Sequence, residues 1–403
     1  VSGLHARFSP SAAHRVVTCP ASLLLCAEAP RTASWAAVEG TIAHHIHALV
    51  LAGDVASARA YLNMEPSEFM AVEDMDAQEW DLVPSGWRTD ADFINAVQDS
   101  VDWLSEIKAE GELDAQYVEV RVDISNWTPA PEQFGTTDVA FVFRDGRLFV
   151  GDLKFGKGVR VSARENYQMI LYALGFVAKF QWLYAFTEVT LAVSQPRLDH
   201  FDAWTVSLED LLRYGETIRE RFALALEPDA PFVPDEKACK FCPAKATCPA
   251  LADLALSMFD DITDVAVMPE DRIAAVLDVS DLLTDYLNAV ANYAVAKLLT
   301  GGAVNGYKLV EGRSVRQWGA EDTVVANALL GHDIHPYAPP KLLSPAAAEK
   351  LLPKDKRKLL SEYIIKPHGK PTLAHESDKR TAWEPTDASD IFDVLDLPNP
   401  DSE

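Results

Sequence analysis

Long apolar runs are missing from this sequence. No segment reaches the ~18 consecutive apolar residues that a membrane-spanning helix needs, and the opening Val1-Ser-Gly-Leu-His-Ala-Arg lacks the basic stretch and apolar core of a secretory signal. The expectation is a cytoplasmic protein with no membrane partner. Positive charge is also short. Lys and Arg number 36 against 61 Asp and Glu, a formal net charge of -25. That balance excludes a protein that coats nucleic acid through a general basic field, but not an enzyme with a local basic groove. Cysteine is scarce, at five in 403 residues, and too unevenly placed for a disulfide framework. Internal repeats are lacking as well.

What is present is the composition of a globular chain, 48% hydrophobic and 24% charged, long enough for one large domain or two modest ones. Acid gathers in two places, Glu65 to Glu79 and Glu376 to Glu403. Helical spacing of apolar residues is expected from Ser9 to Val50, from Ala91 to Ile107, from Arg164 to Phe180, from Leu208 to Leu226 and from Arg272 to Thr300. Alternation marks strands at Gln116 to Asp123, Thr137 to Arg144, Arg147 to Lys154 and Val189 to Gln195, with Asp145-Gly146 as a hairpin turn. Asp54 to Asp81 is acidic and irregular, a helix-loop insertion. The pattern of helix, three-stranded meander, helix and returning strand predicts an α/β core.

Chemistry converges on the meander. Gly135-Thr-Thr-Asp138 opens one strand and Gly151-Asp152-Leu-Lys154 ends its hairpin partner. Opposed side chains on antiparallel strands sit ~5 Å apart, so the two carboxylates can share an ion. Asp152 and Lys154, two apart, point to one face. Two carboxylates on a hard divalent cation, with a lysine beside it, suit phosphodiester hydrolysis: the cation polarises the phosphate and lowers the pKa of a bound water, and the lysine orients that water or offsets charge on phosphorus. Taken singly, either Asp could equally end a strand or make a turn.

This arrangement resembles the PD-(D/E)XK nuclease superfamily, in its RecB-like branch. Further elements of that branch follow in order. Glu39-Gly-Thr-Ile-Ala-His44 resembles the helix whose histidine caps the metal site, and Gln168-Met-Ile-Leu-Tyr172 the Gln-x-x-x-Tyr helix that lies beside the active site and contacts DNA. The resemblance implies a restriction-endonuclease-like fold with a mixed central sheet flanked by helices. It implies His44, Asp138 and Asp152 as ligands of Mg²⁺ or Mn²⁺, joined by the Leu153 carbonyl, with Lys154 as the catalytic lysine and Glu119 as a further acidic residue. His45 and His47 are the neighbours from which spacing separates His44.

Cys239-Lys-Phe-Cys242-Pro-Ala-Lys-Ala-Thr-Cys248 supplies three thiolates in one loop, and a fourth must come from Cys19 or, second, Cys26. Spacing alone leaves zinc and iron–sulfur both open. The layout resembles that of iron–sulfur nucleases, AddB-type helicase–nucleases and CRISPR-adaptation exonucleases, which implies a [4Fe-4S] cluster on Cys19, Cys239, Cys242 and Cys248. The domain expectation is a nuclease domain over residues 1–260, a helical and mixed C-terminal extension over 261–383 and an acidic flexible tail over 384–403. The chain as a whole is similar to a phage-encoded family of uncharacterised proteins with this core. In that family Gly306 to Arg313 and Pro340 to Pro345 mark the extension.

Lys157, Arg160 and Arg164 follow Lys154 closely, in a loop loosened by Gly156 and Gly158, and could contact DNA phosphates. The expected activity is that of a metal-dependent DNA exonuclease of phage recombination, repair or DNA processing, acting on single strands or duplex ends. The acidic tail is a candidate contact for a phage recombination or replication partner. The competing expectation is a catalytically silent accessory or inhibitor with the same fold, and a weaker one is a zinc-stabilised protein with no nucleic-acid role.

Overall fold

The computed structural model describes residues 7–310, apart from 28, 30–33, 55, 72–74 and 261–269, together with 322–330. Two compact units divide the chain, Val1–Val310 and Glu311–Glu403. In the second unit the described residues form one helix, Asp322–Leu330. Residues 311–313, Pro340 to Pro345 and the acidic tail, all singled out above, lie outside the described residues.

The first unit opens with two short helices, α1 (Ala13–Thr18) and α2 (Ser22–Leu25), and a long one, α3 (Trp35–Ala52). The stretch read as helical from Ser9 to Val50 thus holds α1, α2 and most of α3, with turns on either side of α2. Helix α3 starts where the Ser34 hydroxyl accepts from the Ala37 N–H at 3.3 Å and stops at Gly53, whose φ of +83° gives the left-handed cap. The acidic insertion holds 3-10 turns and α4 (Ala77–Asp81). Helix α5 (Ala91–Lys108) begins on Asp90, which accepts from the Phe93 N–H at 2.8 Å.

The sheet follows: β1 (Leu113–Asp123), β2 (Phe134–Phe143), β3 (Arg147–Leu153), then α6 (Tyr167–Phe180), β4 (Glu188–Gln195) and β5 (His200–Ser207). Spatial order equals chain order. β1–β2, β2–β3 and β4–β5 pair antiparallel, while β3 and β4 run parallel across the α6 crossover. Central strands buried on both faces read as near-continuous apolar runs, and β3 is buried from Leu148 to Leu153. Strand β5 was not anticipated. Pro196 ends the apolar run, and the turn it opens closes at Asp199 in the left-handed region before a polar-mixed edge strand.

After β5 come α7 (Leu208–Leu224), α8 (Glu236–Lys240), α9 (Pro249–Asp260) and α10 (Glu270–Leu299). One sheet face packs Val122, Ala140, Val150 and Val193 with α1, α6 and α7. The other packs Val139, Phe141, Phe149 and Ala192 on Leu104 of α5. Phe141 alone, fully buried, contributes ~1.5–3 kcal/mol. The architecture is the expected α/β class with a five-stranded mixed sheet between helices. Among the described residues, no helix is long and apolar enough to cross a membrane.

Candidate metal centre at the sheet end

Register brings the carboxylates together. Val139 pairs with Gly151, and one further step puts Asp138 opposite Asp152. Val118 and Val120 pair with Val139 and Thr137, which leaves Glu119 opposite Asp138. Three acids thus stand in a row across β1, β2 and β3. Glu119 has φ +50°, a left-handed conformation that costs a non-glycine residue ~1–2 kcal/mol. It is a kink in the strand at the point where the site needs a side chain.

Two glycines make the row possible. A Cβ on Gly135 would lie 2.6 Å from Pro10 Cγ and 2.7 Å from Tyr172 Cε1, and one on Gly151 would lie 2.9 Å from both Phe149 and Val139. The Gly-x-x-Asp and Gly-Asp-x-Lys patterns therefore have a packing cause.

Helix α3 delivers His44 from above. Its Nδ1 lies 3.2 Å from Asp138 Oδ2, and the Leu153 N–H donates to the same oxygen at 2.7 Å. His44, Glu119 and Asp138 each offer a ligand atom within 4.8 Å of the other two. The other two histidines point elsewhere: His45 Nε2 meets the Phe69 carbonyl at 3.1 Å, and His47 Nε2 meets Ser100 Oγ at 3.1 Å inside the core. Beside the His44 group, Lys154 Nζ lies 2.9 Å from Asp152 Oδ2 and donates to Gln168 Oε1 at 2.9 Å. Gln168 Nε2 closes the ring on Asp152 Oδ1 at 3.2 Å and also donates to the Tyr172 hydroxyl at 3.0 Å. Asp152 keeps lone pairs free beyond these two contacts. Tyr172 is buried at the sheet face, so it orders Gln168 rather than presenting a surface.

Electrostatics follow from this packing. Burial alone would discharge His44, but the Asp138 charge and hydrogen bond, aided by Asp152, outweigh it and raise its pKa to about 9. Burial likewise works against Asp138, yet His44 and the Leu153 N–H hold that carboxyl below its ordinary value. Asp152 goes the other way: burial prevails over the Lys154 charge and raises it. Glu119, exposed as a residue but with a crowded carboxyl, is pushed up to about 7, by burial first and by Asp138 second. These are the groups among which a cation would replace protons. A hard divalent ion takes oxygen ligands and one imidazole readily, so His44, Glu119 and Asp138 fit it.

Other contacts support the site and had no local signature in the sequence. Arg197, just past β4, pairs with Glu39 of α3 at 2.6 Å and lies 4.8 Å over the Phe155 ring. Gln195 receives the Val161 N–H at 2.6 Å and donates to the Val159 carbonyl at 2.9 Å, while Asp202 receives the Ala163 N–H at 2.8 Å. The loop carrying Lys157, Arg160 and Arg164 is thereby pinned over the ends of β4 and β5, with those three side chains exposed.

A second constellation gathers the cysteines. Cys19, Cys239, Cys242 and Cys248 line one small cavity, although some 220 residues separate the first from the second. The Val233 N–H donates to Cys19 Sγ at 3.4 Å. Cys26 stands beside this group, its sulfur 3.5 Å from Cys242 Sγ and 3.2 Å from Arg15 Nη1. No disulfide joins any of the five.

Over residues 5–381 the chain matches the family described as "Protein of unknown function (DUF2800)". A solved structure described as "Crystal structure of SSO0001" is similar at 16% identity with a TM-score of 0.24, over 46% of this chain and 78% of its own. So distant a likeness carries nothing about chemistry.

Proposed function

The chain belongs to the family described as "Protein of unknown function (DUF2800)", and we propose that it is a metal-dependent DNA nuclease of the PD-(D/E)XK superfamily, RecB-like branch. The observation that supports this reading most directly is the His44, Glu119 and Asp138 group standing beside a lysine that is itself fixed on Asp152. Mg²⁺ or Mn²⁺ at that group would polarise the scissile phosphate, lower the pKa of a bound water and offset charge on the leaving oxygen.

The chain's own residues do the positioning. Asp138 and Glu119 supply anionic oxygens, and His44 sets the third corner once its proton is displaced. Lys154 directs its ammonium toward the attacking water or a phosphoryl oxygen, and Gln168 keeps that ammonium from swinging away. Asp152 neutralises Lys154 before substrate arrives and retains lone pairs for a ligand role. Lys157, Arg160 and Arg164 contact backbone phosphates. On the same reading, Cys19, Cys239, Cys242 and Cys248 hold a [4Fe-4S] cluster that ties α1 to the segment after α7, with zinc as the alternative. The shared cavity and the N–H bonded to the Cys19 sulfur suit thiolate ligands. The setting proposed is phage recombination, repair or DNA processing.

The test is digestion of end-labelled single-stranded and duplex DNA with Mg²⁺ or Mn²⁺ by anaerobically purified protein. Asp152→Asn and Lys154→Ala are each expected to lose ~100-fold or more. Metal-dependent digestion unchanged in both variants would overturn the reading. Visible absorption and iron content, both lost in Cys239→Ser, check the cluster; colourless protein containing zinc would replace it with the alternative.

A further inference from the structure

The centre opens on one side into a cleft of about 400 Å³, bounded by α3 and by the ends of β1 and β2. His44, Glu119 and Asp138 form its floor. Its walls are Ala36, Ala37, Gly40 and Thr41 of α3 and Thr136 of β2. Positions 37, 40, 41 and 44 share one helix face, so the wall continues directly into the ligand histidine. Gly40 leaves open space, with no atom within 4 Å of where a Cβ would stand. None of the lining residues is a Lys or Arg, and two are carboxylates. Apart from that metal group the lining is small and uncharged, so it offers a second phosphate no cation and leaves room for the neutral part of a nucleotide.

The opposite flank has the reverse character. The loop with Lys157, Arg160 and Arg164 is pinned to Gln195 and Asp202 at the ends of β4 and β5. All of these features lie at one end of the sheet. The cleft with the metal group in its lining, Lys154 and the basic loop follow one another from β1 to β4, a distance of three strand spacings or ~14 Å. The cleft is of the size that holds one small-molecule-sized group, a single nucleotide unit and not a duplex.

From this layout we infer that one nucleic-acid strand crosses the sheet end, with the sugar and base on one side of the scissile phosphate seated in the Ala36–Ala37–Gly40–Thr41 cleft and the phosphates on the other side held by the basic loop. The inference rests on the nuclease reading and adds to it the substrate form and the residues that set it. Gly40 and Ala37 are specificity residues: their small side chains admit the nucleoside beside the metal.

Gly40→Leu and Ala37→Leu test it. Both positions lie on the cleft-facing side of α3, Ala37 is exposed and Gly40 has open space beside it, and leucine is a strong helix former, so the fold is retained. Each variant is assayed for Mn²⁺ affinity by calorimetry and for cleavage of an end-labelled single-stranded oligonucleotide. The expected result is Mn²⁺ affinity within about twofold of the parent and a kcat/KM roughly tenfold lower or more, mostly through KM. Parent-like kcat/KM in both variants, with the parent active, overturns the cleft assignment and leaves the nuclease reading standing. Activity of the parent on duplex alone overturns the single-strand assignment. A parent inactive with every metal overturns both. If Gly40→Leu loses Mn²⁺, Ala37→Leu decides, since it lies a further turn from His44; loss of Mn²⁺ there too assigns the wall to the metal site and overturns the inference.

Discussion

His47 offers a measurement whose size follows from the structure. The residue is 2% exposed, three positions after His44 on α3. Ser194 Oγ donates to Ser100 Oγ at 2.8 Å, which leaves the Ser100 hydroxyl hydrogen for His47 Nε2. The ring is therefore an acceptor at Nε2 and has no place for a second proton there. Burial lowers its pKa from 6.5 to about 4, against a pull upward from Asp138. In the unfolded chain it titrates near the ordinary value. Between those two pH values the unfolded state carries a proton that the folded state refuses, so stability is complete above about pH 6.5 and falls as pH drops toward 4. At ~1.4 kcal/mol per unit, the full loss is about 3 kcal/mol, and about 2 kcal/mol is gone by pH 5. The assay is urea unfolding followed by tryptophan fluorescence at about pH 7.5 and pH 5, for the parent and for His47→Gln. The substitution itself costs ~1–3 kcal/mol at neutral pH through the altered serine chain. Other titrating groups act on both proteins, so the difference between the two pH dependences isolates His47. The parent should lose about 2 kcal/mol more than the variant on acidification. Parallel pH dependences would refute the claim that this imidazole is held neutral.

Further expectations concern the site and its supports. Mn²⁺ at about 100 times its dissociation constant should stabilise the parent by ~2.7 kcal/mol, a Tm rise of about 5 °C by scanning fluorimetry, and Asp138→Asn should abolish the rise; an equal rise in the variant would place the ion elsewhere. Arg197→Ala leaves Glu39 without its partner and should cost ~2 kcal/mol in chemical denaturation, with the double change to Met at both positions recovering part of it. Gly135→Val drives a side chain into Pro10 and Tyr172 and should cost ~2 kcal/mol, whereas Tyr172→Phe, which removes only the hydroxyl, should cost ~1 kcal/mol; equal losses would deny the contact with the ring.

The elements legible in the sequence were those with strong local periodicity. Strands β1 to β4 and helices α5, α6, α7 and α10 lie where alternation or helical spacing put them, within a few residues. α6 starts at Tyr167 rather than Arg164 because Asn166 captures the Gln168 and Met169 N–H groups as a cap. Strand β5 escaped because its inner and outer residues are both partly polar and a proline precedes it. Within the site, the pattern of glycines before Asp138 and Asp152 was visible because close packing leaves a mark on residue type. The Glu39–Arg197 pair, 158 residues apart, and the Ser194–Ser100–His47 chain left none. Such contacts form only when the finished sheet brings distant segments side by side, and no spacing rule anticipates them. Nor could spacing distinguish Cys19 from Cys26 as a companion of the downstream cysteines, since both reach that region, one lining the cavity and the other touching Cys242.

The kink at Glu119 sets two kinds of selection against each other. Glycine would adopt the same backbone without strain, so a library of variants screened for heat resistance alone should accumulate Glu119→Gly, each such variant gaining ~1 kcal/mol. Such survivors would have exchanged an acidic side chain facing Asp138 for bare backbone. If the proposed cation binds at this group, thermal robustness and its retention are opposed at a single codon, and any effort to harden this protein would do well to hold that position fixed.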